Sequence, residues 1–196
     1  MLERFGIEDF DEIFDIMQES FPLAEYRTYD GQKALFERQR YNVCGIRING
    51  EIAAFIAFWQ DEGIVFIEHF AVRTTYRNHG LGGKALRELI ELNRGRLVCL
   101  EVEPPENDIA KRRIAFYERN GLFLNSHPYM QPSLSVGRPP LPLMIMTSGR
   151  QIDADEFARL KNTLYDSFYK SLAPPGGAKP PFMEESFPKK WGGPWG

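Results

Sequence analysis

The chain has 196 residues, 43% of them apolar, enough for one domain with a full core and too many for a disordered chain. Its formal net charge of −3 gives no electrostatic case for binding nucleic acid or an anionic membrane. No apolar run approaches the roughly 20 residues that cross a bilayer. The start, Met-Leu-Glu-Arg-Phe, is not a basic-then-apolar leader, so a cytoplasmic protein is expected.

Ile7, Phe10, Ile13, Phe14 and Met17 keep a helical period, which predicts a first helix over 9–20 with Asp9 as its cap and Pro22 as a stop. A few residues before it suit a short edge strand. A weaker helical stretch covers 30–40. Strands are expected over 41–48 and 51–60, joined by Asn49-Gly50, the strongest short hairpin signal. Asp61-Glu62-Gly63 turns the chain into a β-branched and aromatic run from Ile64 to Val72, read as a largely buried strand. Cys44 and Cys99 lie in apolar strand-like runs and read as buried, reduced thiols.

After Val72 comes a loop holding Arg77, Asn78, His79, Gly80, Leu81, Gly82, Gly83 and Lys84, and then a helix carrying Ala85, Leu86, Leu89 and Ile90. A strand that feeds a glycine-rich loop opening a helix is an anion site, because the helix start offers unpaired N–H groups and a positive dipole end. Gly95 closes the helix, and Leu97 to Val102 forms the next strand. Strand, helix and strand predict a right-handed βαβ unit with parallel pairing. A helix over 109–120 capped by Asp108, strands over 122–126 and 141–147, and a final helix over 153–172 follow. From Ala173 the proline- and glycine-rich composition supports neither helix nor strand. Residues 1–172 are therefore read as one domain and 173–196 as a tail, solvated or packed through Phe182, Phe187, Trp191 and Trp195.

Two families use such a glycine loop. Gly80-x-Gly82-x-x-Ala85 fits a dinucleotide fingerprint, with Glu101 about 20 residues on. Arg77-x-x-Gly80-x-Gly82 resembles the acyl-CoA loop of the GNAT N-acetyltransferases. A dinucleotide fold runs its strand almost directly into the first glycine and repeats the βαβ unit. Here residues 73–79 intervene and antiparallel strands flank a lone unit. A later stretch, Phe116-Tyr117-Glu118-Arg119-Asn120-Gly121-Leu122-Phe123, is also similar to the GNAT pattern, with Leu122 in a usual phenylalanine place and Ala110 where an asparagine often stands. The resemblance spans about residues 1–148. It implies an α/β fold with a mixed sheet of six or seven strands, extended here by a C-terminal helix and tail.

The resemblance further implies an enzyme that moves an acetyl group from acetyl-CoA to a small-molecule or peptide amine, as a monomer or homodimer. No metal is expected, because no cluster of His, Cys and acids stands at ligand spacing. It assigns the pyrophosphate to the loop from Arg77 to Lys84 and the pantetheine arm to Phe70, Ala71 and Val72. Arg77 either bonds phosphate or braces the loop, and Lys84 either bonds phosphate or is solvated.

An attacking amine must lose a proton. Strand alternation puts Glu68 on one face with Phe66 and Phe70, and Ile67 with His69 on the other. A carboxylate among apolar groups is expected to have a raised pKa, which suits a base. Glu68 is the candidate, against a structural carboxylate, with Glu101 and Glu103 as alternatives acting through water. Tyr117 matches the family's general-acid position, against a plain core tyrosine. His69 reads as a packed histidine. Glu19, Glu25, Tyr26 and Tyr29 are candidate acceptor contacts. A non-catalytic acyl-CoA sensor is the alternative of a different class.

Overall fold

The computed structural model describes residues 1–23, 25–132 and 140–169. Asn49 and Gly50 both take positive φ, at 52° and 90°, the backbone a two-residue hairpin needs. They join β2 (Tyr41–Ile48) to β3 (Glu51–Asp61), and β4 (Ile64–Val72) continues the meander. The expected edge strand, β1 (Glu3–Phe5), pairs with β2, and α1 (Phe10–Ser20) follows it.

The predicted helix over 30–40 is instead α2 (Tyr29–Lys33) and a 3-10 turn (Ala34–Glu37). Gln32 and Leu35 are their only buried residues, too little burial to hold a longer helix. After the glycine loop, α3 (Leu81–Leu92) crosses to β5 (Leu97–Val102), which pairs parallel with β4. Next comes α4 (Asp108–Arg119), capped by Asn107 rather than Asp108. The Asn107 Oδ1 accepts from the N–H groups of Ile109 and Ala110 at 3.0 and 2.9 Å.

The short strands β6 (Leu122–Leu124) and β7 (Tyr129–Gln131) both pair with β8 (Leu141–Ser148). Among the described residues the sheet order is β1-β2-β3-β4-β5-β8-β6, with β7 beside β8: eight strands against the expected six or seven. The unforeseen β7 is three residues between Pro128 and Pro132, too short to show alternation.

Asp153 caps α5 (Ala154–Thr163) by accepting from the Glu156 N–H at 2.8 Å, while Glu156 accepts from the Asp153 N–H at 3.1 Å. The chain then widens into π-helical turns over Leu164–Tyr169, where one regular helix to residue 172 was expected. The segment from Ala173 lies outside the described residues.

Helices cover both faces of the sheet. One core joins Ile13, Ile16 and Met17 of α1 and Phe157, Leu164 and Phe168 of the C-terminal segment to Phe55, Trp59 and Phe66. The other joins Ala85, Leu86 and Leu89 of α3 and Ile114 of α4 to Ile56, Val65, Ile67 and Leu100. Cys99 is buried and Cys44 half-buried, both free; burial lifts both thiols, that of Cys44 to about 12, as expected of inert cysteines.

Gly45 marks the tightest point of the sheet. A Cβ there would stand 2.0 Å from the Ala54 carbonyl oxygen and 2.9 Å from Phe55 Cα. Backbone cannot yield as a side chain can, so Gly45→Ala should cost about 1–3 kcal/mol or more. Urea unfolding checks this, and a variant as stable as the parent would contradict the register of β2 on β3.

Candidate active site

The loop ahead of α3 presents a run of unused donors. Within α3 the first amide to bond back is Lys84, to the Gly80 carbonyl at 3.0 Å. The N–H groups from Asn78 to Gly83 have no hydrogen-bond partner among the described residues. Asn78 and Gly80 both turn through positive φ, at 67° and 75°, which brings these amides round to the helix start.

The three glycines serve different ends. Gly80 needs its φ. A Cβ on Gly82 would meet Val72 Cγ2 at 3.3 Å and Phe70 Cζ at 3.4 Å. A Cβ on Gly83 would meet Asn120 Oδ1 at 2.8 Å, so that glycine lets α3 pack on the end of α4. Arg77 is a brace. Its Nε donates to the Val72 carbonyl at 3.0 Å and its Nη2 to Ser20 Oγ at 3.2 Å. Asn78, Gly80, Leu81, Gly82 and Gly83 line the cleft, whereas His79 and Lys84 are exposed and stand outside its lining.

That cleft, about 2230 Å³, exists because two strands part. β4 and β5 pair from Ile64–Leu97 to Ile67–Leu100 and no further. Beyond that point the β5-side edge of Phe70, Ala71 and Val72 has no strand against it among the described residues. On its other edge β4 pairs with β3, but Ala57 faces His69 and Phe58 faces Ile67. Glu68 is thus an extra residue, a β-bulge, which bends and twists the strand.

The bulge overturns the expected alternation. His69 shares the face of Glu68, sealed under Phe21 and bonded through Nε2 to the Glu25 carbonyl at 3.0 Å. Phe70 moves to the other face, beside Phe116 and above the α3 core.

Glu68 also departs from expectation electrostatically. Burial alone would raise its carboxyl, but Arg27, with Nη2 2.8 Å from Oε1, and His69, with Nδ1 3.6 Å from Oε2, lower it to about 2. Arg27 and Glu68 are both deeply buried, with side-chain exposures of 12% and 8%. Glu68 is an ionised carboxylate held by a guanidinium.

Glu101 is the opposite case. It stands on β5 just past the last β4–β5 pair, partly open to the cleft and otherwise enclosed. Burial raises its carboxyl to about 7, although Tyr129, Tyr169 and Gln131 all donate to it. Tyr117, on α4, is half-buried in the cleft wall, its hydroxyl without a hydrogen-bond partner among the described residues. Burial raises that phenol to about 12.

A sequence model of the Acetyltransferase (GNAT) family matches residues 10–122, from α1 to the first residue of β6. This chain belongs to the GNAT acetyltransferase family. A GNAT structure from Bacteroides thetaiotaomicron, provisionally named an acetyltransferase, superposes with a TM-score of 0.75 at 30% identity, over 84% of this chain and 96% of its own. YjbC of Bacillus subtilis (strain 168), also provisionally named an acetyltransferase, is 27% identical over 108 residues, 54% of each chain. The chain therefore spans about half the length of that curated relative. Arabidopsis thaliana NAA60, solved with acetyl-CoA, shares the fold at 15% identity and a TM-score of 0.57, over 75% of this chain and 96% of that one.

In this GNAT chain the acceptor candidates separate. Glu25 lines the cleft, and burial raises its carboxyl. Tyr26 is core, packed on Phe14. Tyr29 donates to Asp11, and Glu19 lies 3.8 Å from Arg73; neither lines the cleft. Glu103 is exposed at the cleft rim, 3.4 Å from Arg113. Arg27, Tyr129, Gln131 and Tyr169 were not foreseen. The two tyrosines Tyr165 and Tyr169, one turn apart and off the apolar stripe of the last helix, were the available signal.

Arg27→Met should destabilise by about 3–5 kcal/mol, because it strands a buried carboxylate. Arg27→Met with Glu68→Leu should recover most of that loss. The folded carboxyl of Glu68 lies below its ordinary value, so the stability it contributes is present above pH 4.5 and fades as pH falls toward about 2. Urea melts of both variants between those limits measure this, and a single-variant cost under about 1 kcal/mol would mean the pair is screened by water.

Proposed function

We propose that this chain transfers an acetyl group from acetyl-CoA to a primary amine, the two substrates lying together in the cleft between β4 and β5. The observation that carries this is one cleft holding four things: the unbonded amides of Asn78 and of Gly80 to Gly83, a strand edge without a partner among the described residues, a carboxyl near neutrality and a protonated phenol.

Each fits a part of the thioester substrate or its reaction. The loop amides and the α3 dipole suit a pyrophosphate. The open edge at Phe70, Ala71 and Val72 suits the amides of an extended arm. Acetyl-CoA supplies an activated acyl carbon. Glu101 takes the proton that the attacking amine sheds. Tyr117 gives a proton to the sulfur as the carbon–sulfur bond breaks. Glu68 keeps the bulge charged and paired through Arg27 and takes no proton, since its carboxyl is held near 2. A dinucleotide is disfavoured, because residues 73–80 separate β4 from α3 and antiparallel strands flank the parallel β4–β5 pair.

Calorimetry with acetyl-CoA, CoA and NAD tests the cofactor. Binding of the first two and not of NAD is expected, and NAD binding without CoA would reverse the assignment. Gly82→Asp, which adds a Cβ against Val72 and a negative charge among the free amides, should abolish CoA binding.

Release of free CoA in the presence of a panel of primary amines and peptide N-termini tests the reaction. The rate should rise with pH through about 7 as Glu101 loses its proton. Glu101→Gln should remove that limb, whereas Glu68→Gln should not. Tyr117→Phe should lower turnover by about 10²- to 10⁴-fold with CoA binding kept. Near-normal turnover would return Tyr117 to a packing role.

A further inference from the structure

Glu101 lies within the matched family segment, but each side chain that bonds it among the described residues lies outside, on β7 or in the C-terminal turns. An ionised carboxylate offers about four acceptor sites, two on each oxygen. The Oε1 accepts from Tyr129 and from Tyr169, the latter at 2.7 Å, and Oε2 accepts from Gln131 at 2.6 Å. Among the described residues one site is left, and it is on Oε2.

We propose that Tyr129, Tyr169 and Gln131 are positioning residues for Glu101: they fill its other acceptor sites and leave one Oε2 lone pair for the proton of the incoming amine. The inference rests on Glu101 being the base.

The three donors are themselves fixed. Tyr129 is fully buried, edge-on to Phe157 of α5. Tyr165 donates to the Met130 carbonyl at 2.5 Å, tying the π-helical turns to β7. Phe168 stacks on Phe66 at 5.8 Å, which seats the last turn against β4 and leaves Tyr169 at Glu101. π-Helical turns of this kind often sit at functional sites because they re-aim side chains.

The chemistry of the donors also matters. A guanidinium would hold the carboxyl ionised, as Arg27 holds Glu68. Neutral phenols and an amide fix its direction while leaving it able to accept a proton. The titratable groups facing Glu101 are Glu68, ion-paired to Arg27, on β4; Cys99 on β5; Tyr129 on β7; and Tyr165 and Tyr169 in the C-terminal turns.

Carboxyl-carbon NMR titration of the full chain tests this without any acceptor, with Glu101→Gln identifying the resonance. Loss of a donor to the charged form should raise the Glu101 titration by about one pH unit in Tyr169→Phe and in Tyr129→Phe. The acidic limb of kcat/KM, measured with the fastest amine of the panel, should move up with it, with the alkaline plateau kept.

A merely structural role for the tyrosines would lower the rate at every pH and leave the limb in place. An unmoved titration, or unmoved limbs in variants of an enzyme whose limb Glu101→Gln abolishes, overturns the proposal alone. A Glu101→Gln enzyme with the parent pH profile overturns the base assignment and the proposal together.

Discussion

The parting of β4 from β5 beyond Ile67 and Leu100 is the constraint on which the rest depends. A parallel pair that continued would satisfy the edge of Phe70–Val72 and close the cleft. The bulge at Glu68 turns β4 one way, while β5 stays with β8 as far as Val102–Met144. Buried backbone groups need partners, so an edge opened inside a domain calls for something extended to pair with it. The same parting exposes Glu101, and α3 begins where its unbonded amides reach the cleft.

Two carboxyls a residue past the last pair have been driven to opposite ends of the carboxylate range. Glu68 and Glu101 are both enclosed, so burial pushes both upward. What separates them is the partner: a guanidinium for Glu68, neutral donors for Glu101. Glu68 also raises Glu101, because like charges share one low-dielectric neighbourhood; an ionised Glu68 makes Glu101 hold its proton longer. The buried ion pair therefore acts on the chemistry at a distance as well as on the stability of the bulge.

The meander, the βαβ unit, the glycine loop and both families of core residues were legible because each rests on local signals: Asn49-Gly50, the β-branched run at Ile64, and helical spacing at Leu81–Ile90. Glu101 was visible only as an alternative. The error lay at Glu68. Period-two alternation assumes an unbroken ladder, and nothing in Ile67-Glu68-His69 announces an inserted residue; the bulge is decided by pairing with β3. The raised carboxyl expected of Glu68 failed for a related reason. Arg27 sits 41 residues earlier in an irregular loop, and only the fold brings it to β4. The ring of donors around Glu101 comes from β7 and the last turns, segments too short or too irregular to carry a periodic signal.

The bulge makes residue count in β4 less binding than the partner that it presents. Ala57 already faces His69 and Phe58 already faces Ile67, so deleting Glu68 would close the ladder and leave every other pair with β3 in place. Phe70 would stay beside Phe116, and Ala71 against Phe55. What such a deletion would remove is the kink and the carboxylate, leaving Arg27 a buried guanidinium without its ion pair. A single-codon deletion here is thus an electrostatic lesion rather than a shift of register.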